Sequence, residues 1–239
     1  MRLLTWNIRG GLGMDGVRSL RRIADVIRAA SPDVVCLQEV HRRLPWSGLE
    51  DQPRLLAEMT GLQALFQSNF RVGFGGFGNA VLSGLPVVSF RLHRLPNRLE
   101  RRRPAMRFER RGALHTVVQA PWGPVGVLCT HWSLVQADRL ESAVWMLEAL
   151  RSCPPAAVLA GDLNADWDSP EVSRLREAGL VDAGGDLAGP TYPARPPIHR
   201  LDYVLHTPRL RCVGQETLGS DASDHLPVLA VLEPASGAE

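Results

Sequence analysis

The chain contains no lysine: all 27 of its basic residues are arginine. Against 25 acidic residues the net charge is only +2, which argues neither for nor against a polyanionic partner. Arginine in place of lysine follows from base composition as readily as from function, although its planar fork suits phosphate oxygens better than an ammonium does. Cysteine is scarce. Cys36, Cys129, Cys153 and Cys212 have no metal-ligand spacing, and the first two sit inside apolar runs, so buried reduced thiols are expected and not a thiolate metal centre. No apolar stretch approaches the roughly 20 residues of a membrane span. The first apolar run leads straight into Asn7 without the charged, apolar and small-residue regions of a signal peptide. A soluble, cytoplasmic protein is the expectation. Repeats, low-complexity tracts and linkers are missing too, so 239 residues of ordinary globular composition read as a single domain spanning 1–239.

What is present is a set of short apolar runs that end in polar residues. The clearest is VLAGDLNAD, where the run Ala156 to Ala160 stops at Gly161 and presents Asp162 and Asn164 on the turn beyond. LLTWN ends at Asn7, VVCLQE at Glu39 and VGVLCTH at His131; LDYVLH begins with Asp202, and SDH at Ser223 to His225 precedes the last apolar run. A buried strand that delivers one polar side chain from its end is ordinary. Half a dozen carrying Asn, Glu, His and Asp point to a site.

Along the chain, residues 2 to 7 read as a strand and VRSLRRIADVIRAA as a helix, with Val17, Leu20, Ile23, Ala24 and Ile27 at helical spacing. Ser31-Pro32-Asp33 breaks it, and VVCLQE is the next buried strand, giving a βαβ start. Residues 41 to 53 read as a loop followed by a short helix from Arg54 to Met59. The Gly-punctuated FRVGFGGFGNAVLS ends in a strand over Asn79 to Ser83, with another over Pro86 to Leu92. An arginine run then holds Arg98, Arg101, Arg102, Arg103, Arg107, Arg110 and Arg111. It is a solvated face or a phosphate-tracking segment for nucleic acid, with only Phe108 available for base stacking. A helix from about Val135 to Arg151 carries Leu140, Val144 and Leu147 on one face, and Asp168-Ser169-Pro170-Glu171 starts another. LDYVLH, LRCVGQETL and PVLAVL complete the strands. The pattern fits two packed sheets flanked by helices.

The carboxylates Glu39, Asp162, Asp202 and Asp224, with Asn7, Asn164, His131 and His225, form an oxygen-rich set that suits a hard cation. Acids beside histidines also suit phosphoryl chemistry, where a carboxylate activates water and cations stabilise the developing charge. The remaining histidines, His41, His93, His115, His199 and His206, fall outside this pattern and read as core or solvated residues.

The segments TWNIRG, LQEV, GNAVLS, THW, GDLNAD, RLDYVL and SDHLPV, in that order over roughly residues 2 to 232, resemble the endonuclease/exonuclease/phosphatase (DNase I-like) family. The resemblance implies a four-layered α/β sandwich with the site at one end of its two mixed β-sheets. It implies a Mg2+-dependent phosphodiesterase, with Mn2+ as the alternative ion, acting as a monomer on nucleic acid or another phosphodiester. By position, Glu39 would be the main metal ligand with Asn7 beside it. Asp162 would orient or deprotonate the attacking water, helped by Asn164. His131 and His225 would bind the scissile phosphate, with Asp224 holding His225 and serving as a further metal ligand. Asn79 and Arg111 would neighbour the phosphate, and Asp202 would support it as a structural acid. THW resembles the corresponding segment of sphingomyelinases, tyrosyl-DNA phosphodiesterases and DNase I relatives. Apurinic endonucleases carry a tyrosine-centred motif there, and neither Tyr192 nor Tyr203 occupies that place. The apolar hairpin or secretion signal of membrane-facing relatives is not seen, which lowers a lipid substrate and leaves nucleic acid first.

Overall fold

A computed structural model describes residues 1–96, 110–185 and 188–235. Twelve strands among them form two six-stranded sheets. In chain order they are β1 (Arg2–Asn7), β2 (Val34–Arg42), β3 (Gln63–Val72), β4 (Gly75–Ser83), β5 (Val87–Arg94) and β6 (Gly112–Ala120). Then follow β7 (Gly123–His131), β8 (Ala157–Asp162), β9 (Val181–Asp182), β10 (Asp202–His206), β11 (Leu210–Thr217) and β12 (Val228–Pro234). The first sheet runs β11-β12-β1-β2-β4-β3 and the second β5-β6-β7-β8-β10-β9. Each holds one parallel pair, β1–β2 and β7–β8, and is otherwise antiparallel. A parallel pair needs a crossover, which α1 (Leu20–Ala30) and α3 (Gln136–Arg151) supply. The other two α-helices among the described residues are α2 (Gln52–Thr60) and α4 (Pro170–Glu177).

The layers follow from side-chain alternation. Leu3 of β1, Val34 and Cys36 of β2, Val127 and Cys129 of β7, Val158 and Ala160 of β8 and Val204 of β10 meet in one core between the sheets. Their strand neighbours Leu4, Trp6, Val35 and Leu37 face the other way and are covered by Leu20, Ile23, Ala24 and Ile27 of α1 and Leu56 of α2. Leu128, Leu159, Tyr203 and Leu205 are covered in the same manner by Ala143 and Met146 of α3 and Val172 and Leu175 of α4. Helix, sheet, sheet, helix is the four-layered sandwich. No helix among the described residues is long and apolar enough to cross a membrane.

Several local expectations need correction. Helix α1 begins at Leu20, because Ser19 caps it by accepting the Arg22 N–H, and Val17 is exposed outside it. Residues 41 and 42 extend β2, α2 starts at Gln52, and the glycine-punctuated stretch spans the end of β3 and all of β4, a hairpin whose first strand buries Gln67 and Asn69. On α3 the buried face is Asp138, Ser142, Ala143 and Met146, whereas Val144 is 48% exposed. Ser169 caps α4 as expected, accepting from Val172 N. Cys36 and Cys129 are free thiols in the core. In the arginine run only Arg110 and Arg111 are among the described residues; Arg98, Arg101, Arg102, Arg103 and Arg107 lie outside them.

Candidate active site

The inward-facing series that builds the central core continues into polar residues at one end of each strand. In β8 the series Val158, Ala160 leads to Asp162; in β7 Val127, Cys129 leads to His131; in β10 Val204 leads back to Asp202. Register sets these three side by side, Asp202 opposite Asp162 and Asp162 opposite His131. The first sheet adds Asn7, two residues beyond Thr5, and Asn79, two before Val81. Glu39 arrives differently. Leu37 pairs with Ala80 and Val40 with Gly78, so Gln38 and Glu39 together oppose Asn79 in a β-bulge that re-aims the carboxylate. Glu39 (φ 54°) and Asn164 (φ 48°) both hold left-handed backbone. Such conformations are costly for non-glycine residues and gather at functional sites.

Asp162 is the hub. Its Oδ2 accepts from Asn7 Nδ2 at 3.0 Å and lies 3.3 Å from His131 Nε2 and 3.7 Å from His225 Nε2; its Oδ1 accepts the Asn164 N–H at 2.9 Å. The same Asn7 amide reaches Glu39 Oε1 at 3.2 Å. The segment carrying His225 is pinned to β1, since Ser223 Oγ donates to the Asn7 carbonyl and Trp6 Nε1 donates to the His225 carbonyl. Behind His225, Asp202 Oδ2 lies 2.8 Å from Nδ1 and accepts the Thr191 hydroxyl at 2.6 Å. Behind His131, Arg111 Nη1 lies 2.9 Å from Nδ1.

Burial and the charge of Asp202 push the Asp162 carboxyl up to about 6, against the pull of His225 and the N–H donors. For His225 burial alone would lower the pKa, but Asp202, Asp162 and Asp224 outweigh it and raise it to about 10. His131 goes the other way, held well below the ordinary histidine value by burial and by the Arg111 and His225 charges. One acid near neutrality, one imidazolium and one neutral imidazole therefore share a pocket. Asp162, Asp202 and His225 also present ligand atoms all within 4.8 Å of one another, a set that could hold a metal ion. The hydrogen bonds within it, however, fit an acid–imidazolium–acid array. The Glu39 carboxylate, with the Asn7 amide against its Oε1, is the oxygen donor better suited to a hard divalent cation.

This arrangement accompanies a match between residues 4–225 and the Endonuclease/Exonuclease/phosphatase family. The chain belongs to that family. It is 30% identical over 222 residues to the uncharacterized protein YbhP of Escherichia coli K12, covering 85% of this chain and 83% of that one. A crystal structure of an endonuclease/exonuclease/phosphatase from Beutenbergia cavernae is 33% identical with a TM-score of 0.84, over 98% of this chain and 71% of that one. The human nocturnin catalytic domain, solved with a bound sulfate anion, shares the fold at 21% identity and a TM-score of 0.74, over 98% of this chain and 94% of that one. As an endonuclease/exonuclease/phosphatase family member the chain falls among proteins that are generally phosphoester hydrolases.

Asn7, Glu39, His131, Asp162, Asn164, Asp202 and His225 come together in this cluster. Two expectations change. The acid that holds His225 is Asp202 and not Asp224, whose carboxylate turns instead to Arg9 Nε at 3.3 Å. Asp202 is 1% exposed and committed to His225 and Thr191, so it backs the histidine and does not line a phosphate site. Asn79 donates to the Gly112 carbonyl at 2.8 Å, tying the two sheets next to Arg111. Thr191, Tyr192 (ring 4.7 Å from the His225 ring), Arg9 and Trp6 escape sequence reasoning. Only the Thr-Tyr pair set among the prolines of residues 190–197 hints at a loop folded over something.

Proposed function

We propose that this family member is a Mg2+-dependent phosphodiesterase that cleaves nucleic acid by direct attack of water, without a covalent intermediate. The observation that carries this reading is the convergence of Asn7, Asn164, His131 and His225 on one buried carboxylate, Asp162. Glu39, with Asn7 beside it, would hold the ion, Mn2+ being the alternative. A bound divalent ion supplies positive charge to the phosphoryl oxygens.

The chain's own residues do the rest. Asp162, with its pKa raised to about 6, is mostly ionised at neutral pH yet basic enough to take a proton from water at a carboxylate oxygen. Asn164, whose amide also donates to the Trp132 carbonyl at 2.9 Å, is fixed to orient that water. His225, held protonated by Asp202, offers its charge to the phosphoryl group from within a low-dielectric site. Nucleic acid stands first as substrate because the sequence carries seven arginines from Arg98 to Arg111, a run able to meet successive phosphates.

The test is nicking of supercoiled plasmid with Mg2+, with EDTA and Asp162→Ala as controls. Nicking lost in both controls and weakening steeply with salt supports the reading. Silence on DNA with turnover of a small chromogenic phosphodiester would move the substrate to lipid headgroups or metabolites. Full activity in Asp162→Ala would overturn the mechanism.

A further inference from the structure

His131 is approached by a hydrogen-bond donor on each side. Arg111 Nη1 lies 2.9 Å from Nδ1 and Asn164 Nδ2 lies 3.0 Å from Nε2, while Asp162 Oδ2 lies 3.3 Å from the same Nε2. A guanidinium has no acceptor, and a neutral imidazole has one N–H and one lone pair. The lone pair must therefore meet the arginine, since an Nδ1–H would point at a buried cation. The hydrogen belongs on Nε2, where Asp162 accepts it. Charge-assisted bonds being about twice as strong as neutral ones, the Asn164 contact cannot reverse this choice.

The arginine is not free to swing away. Its carbonyl accepts from Leu95 N at 3.0 Å, and the next carbonyl, of Gly112, accepts from Asn79 Nδ2 at 2.8 Å and Thr130 Oγ1 at 3.3 Å. The side chain itself is buried, with Arg111 6% exposed overall. The charged groups around the ring are Arg111 on one side and Asp162 on the other, with His225 beyond Asp162.

We propose that Arg111 is a positioning residue that fixes His131 as the neutral tautomer protonated at Nε2, so that this histidine serves as a hydrogen-bond donor and never as a base. Asp162, whose two oxygens already accept from Asn7 and Asn164, is then the group placed to accept a proton from water. An incoming phosphoryl oxygen would meet a donor at His131 Nε2 and a cation at His225. The catalytic consequence rests on the hydrolase reading above; the tautomer does not.

Side-chain 15N-histidine NMR on the full chain decides it, with the His131 signals assigned by their loss in His131→Gln. The expected wild-type result is an unprotonated Nδ1 and a protonated Nε2 at about pH 7 to 8, where Asp162 is ionised and can accept the hydrogen. A protonated Nδ1, or a ring that titrates within that window, overturns the proposal. In Arg111→Gln the ring should exchange between tautomers, and kcat should fall by about 10²-fold, the scale of one lost transition-state donor, with KM little changed. Arg111→Lys should recover part of both. If the wild-type tautomer is found and no phosphoester is turned over, the functional reading fails while Arg111 keeps its role.

Discussion

Asp202 and His225 are paired at 2.8 Å, and the acid of that pair is itself locked by the Thr191 hydroxyl at 2.6 Å. A histidine held this way keeps its proton far above its ordinary pKa, to about 10. The raised folded value means that this pair's contribution to stability is complete below the unfolded pKa near 6.5 and is lost as pH climbs through 10. Asp202→Asn removes the charge that sustains the imidazolium. The alkaline limb of the kcat–pH profile should move from near pH 10 down towards neutrality, and kcat at pH 8 should drop by about 10²-fold. An unmoved alkaline limb would show that the Asp202 charge does not set the His225 proton.

Asp162 is held in an environment that resists its ionisation, with its pKa raised from 3.8 to about 6. The sign is opposite to that of a salt-bridged acid. The folded state favours the protonated carboxyl, so stability falls as pH rises from about 4 to 6. Asp162→Asn should then abolish turnover yet stabilise the metal-free protein at neutral pH by up to about 2 kcal/mol, raising Tm by a few degrees. Calorimetry in EDTA checks this, and a lowered Tm would contradict it.

Glu39 stands at the bulge with Asn7 against its Oε1. Replacing it by Gln keeps the size and removes the charge. The Mg2+ concentration for half-maximal activity should rise by about 10-fold or more, on the scale of lost metal-site partners. An unchanged Mg2+ dependence would place the ion elsewhere.

Gly161 (φ 151°) precedes Asp162, and a Cβ there would run into the Thr130 carbonyl oxygen. Gly161→Ala should cost several kcal/mol and show as a large fall in the urea midpoint or a loss of soluble protein. Tolerance of alanine would mean that β7 and β8 can separate at the site.

On α3, Ala143 is buried and Val144 is 48% exposed. Ala143→Glu should unfold the protein, whereas Val144→Glu should stay within about 0.5 kcal/mol of wild type by urea melt.

That last contrast marks where sequence reading fails. The helix hides Asp138, Ser142, Ala143 and Met146, and its polar members are satisfied locally. Ser133 donates to Asp138, and Ser142 donates to the Asp138 carbonyl. Apolar spacing therefore points to the wrong face. Strand β3 is hidden for a similar reason, because Gln67 and Asn69 occupy buried positions in it. Asn7, His131, Asp162 and Asp202 are legible because each sits at the polar end of an apolar run whose other members are core. Which acid meets His225 is not legible. Asp224 is adjacent to it in sequence, yet its carboxylate turns away to Arg9, while Asp202 arrives from another strand.

The continuity between core and site has one more consequence. The residues that would do chemistry are the final rungs of the ladders that hold the sheets together, with Asp162 two steps from Ala160 and His131 two from Cys129. A slip of one residue in any of these strands would send its polar group into the oily layer beneath a helix and bring its strand neighbour into the cleft. A misthreaded chain would thus be both unstable and inert. The fold proofreads its own active site, and a molecule that has found its most stable pairing has, by the same act, armed its chemistry.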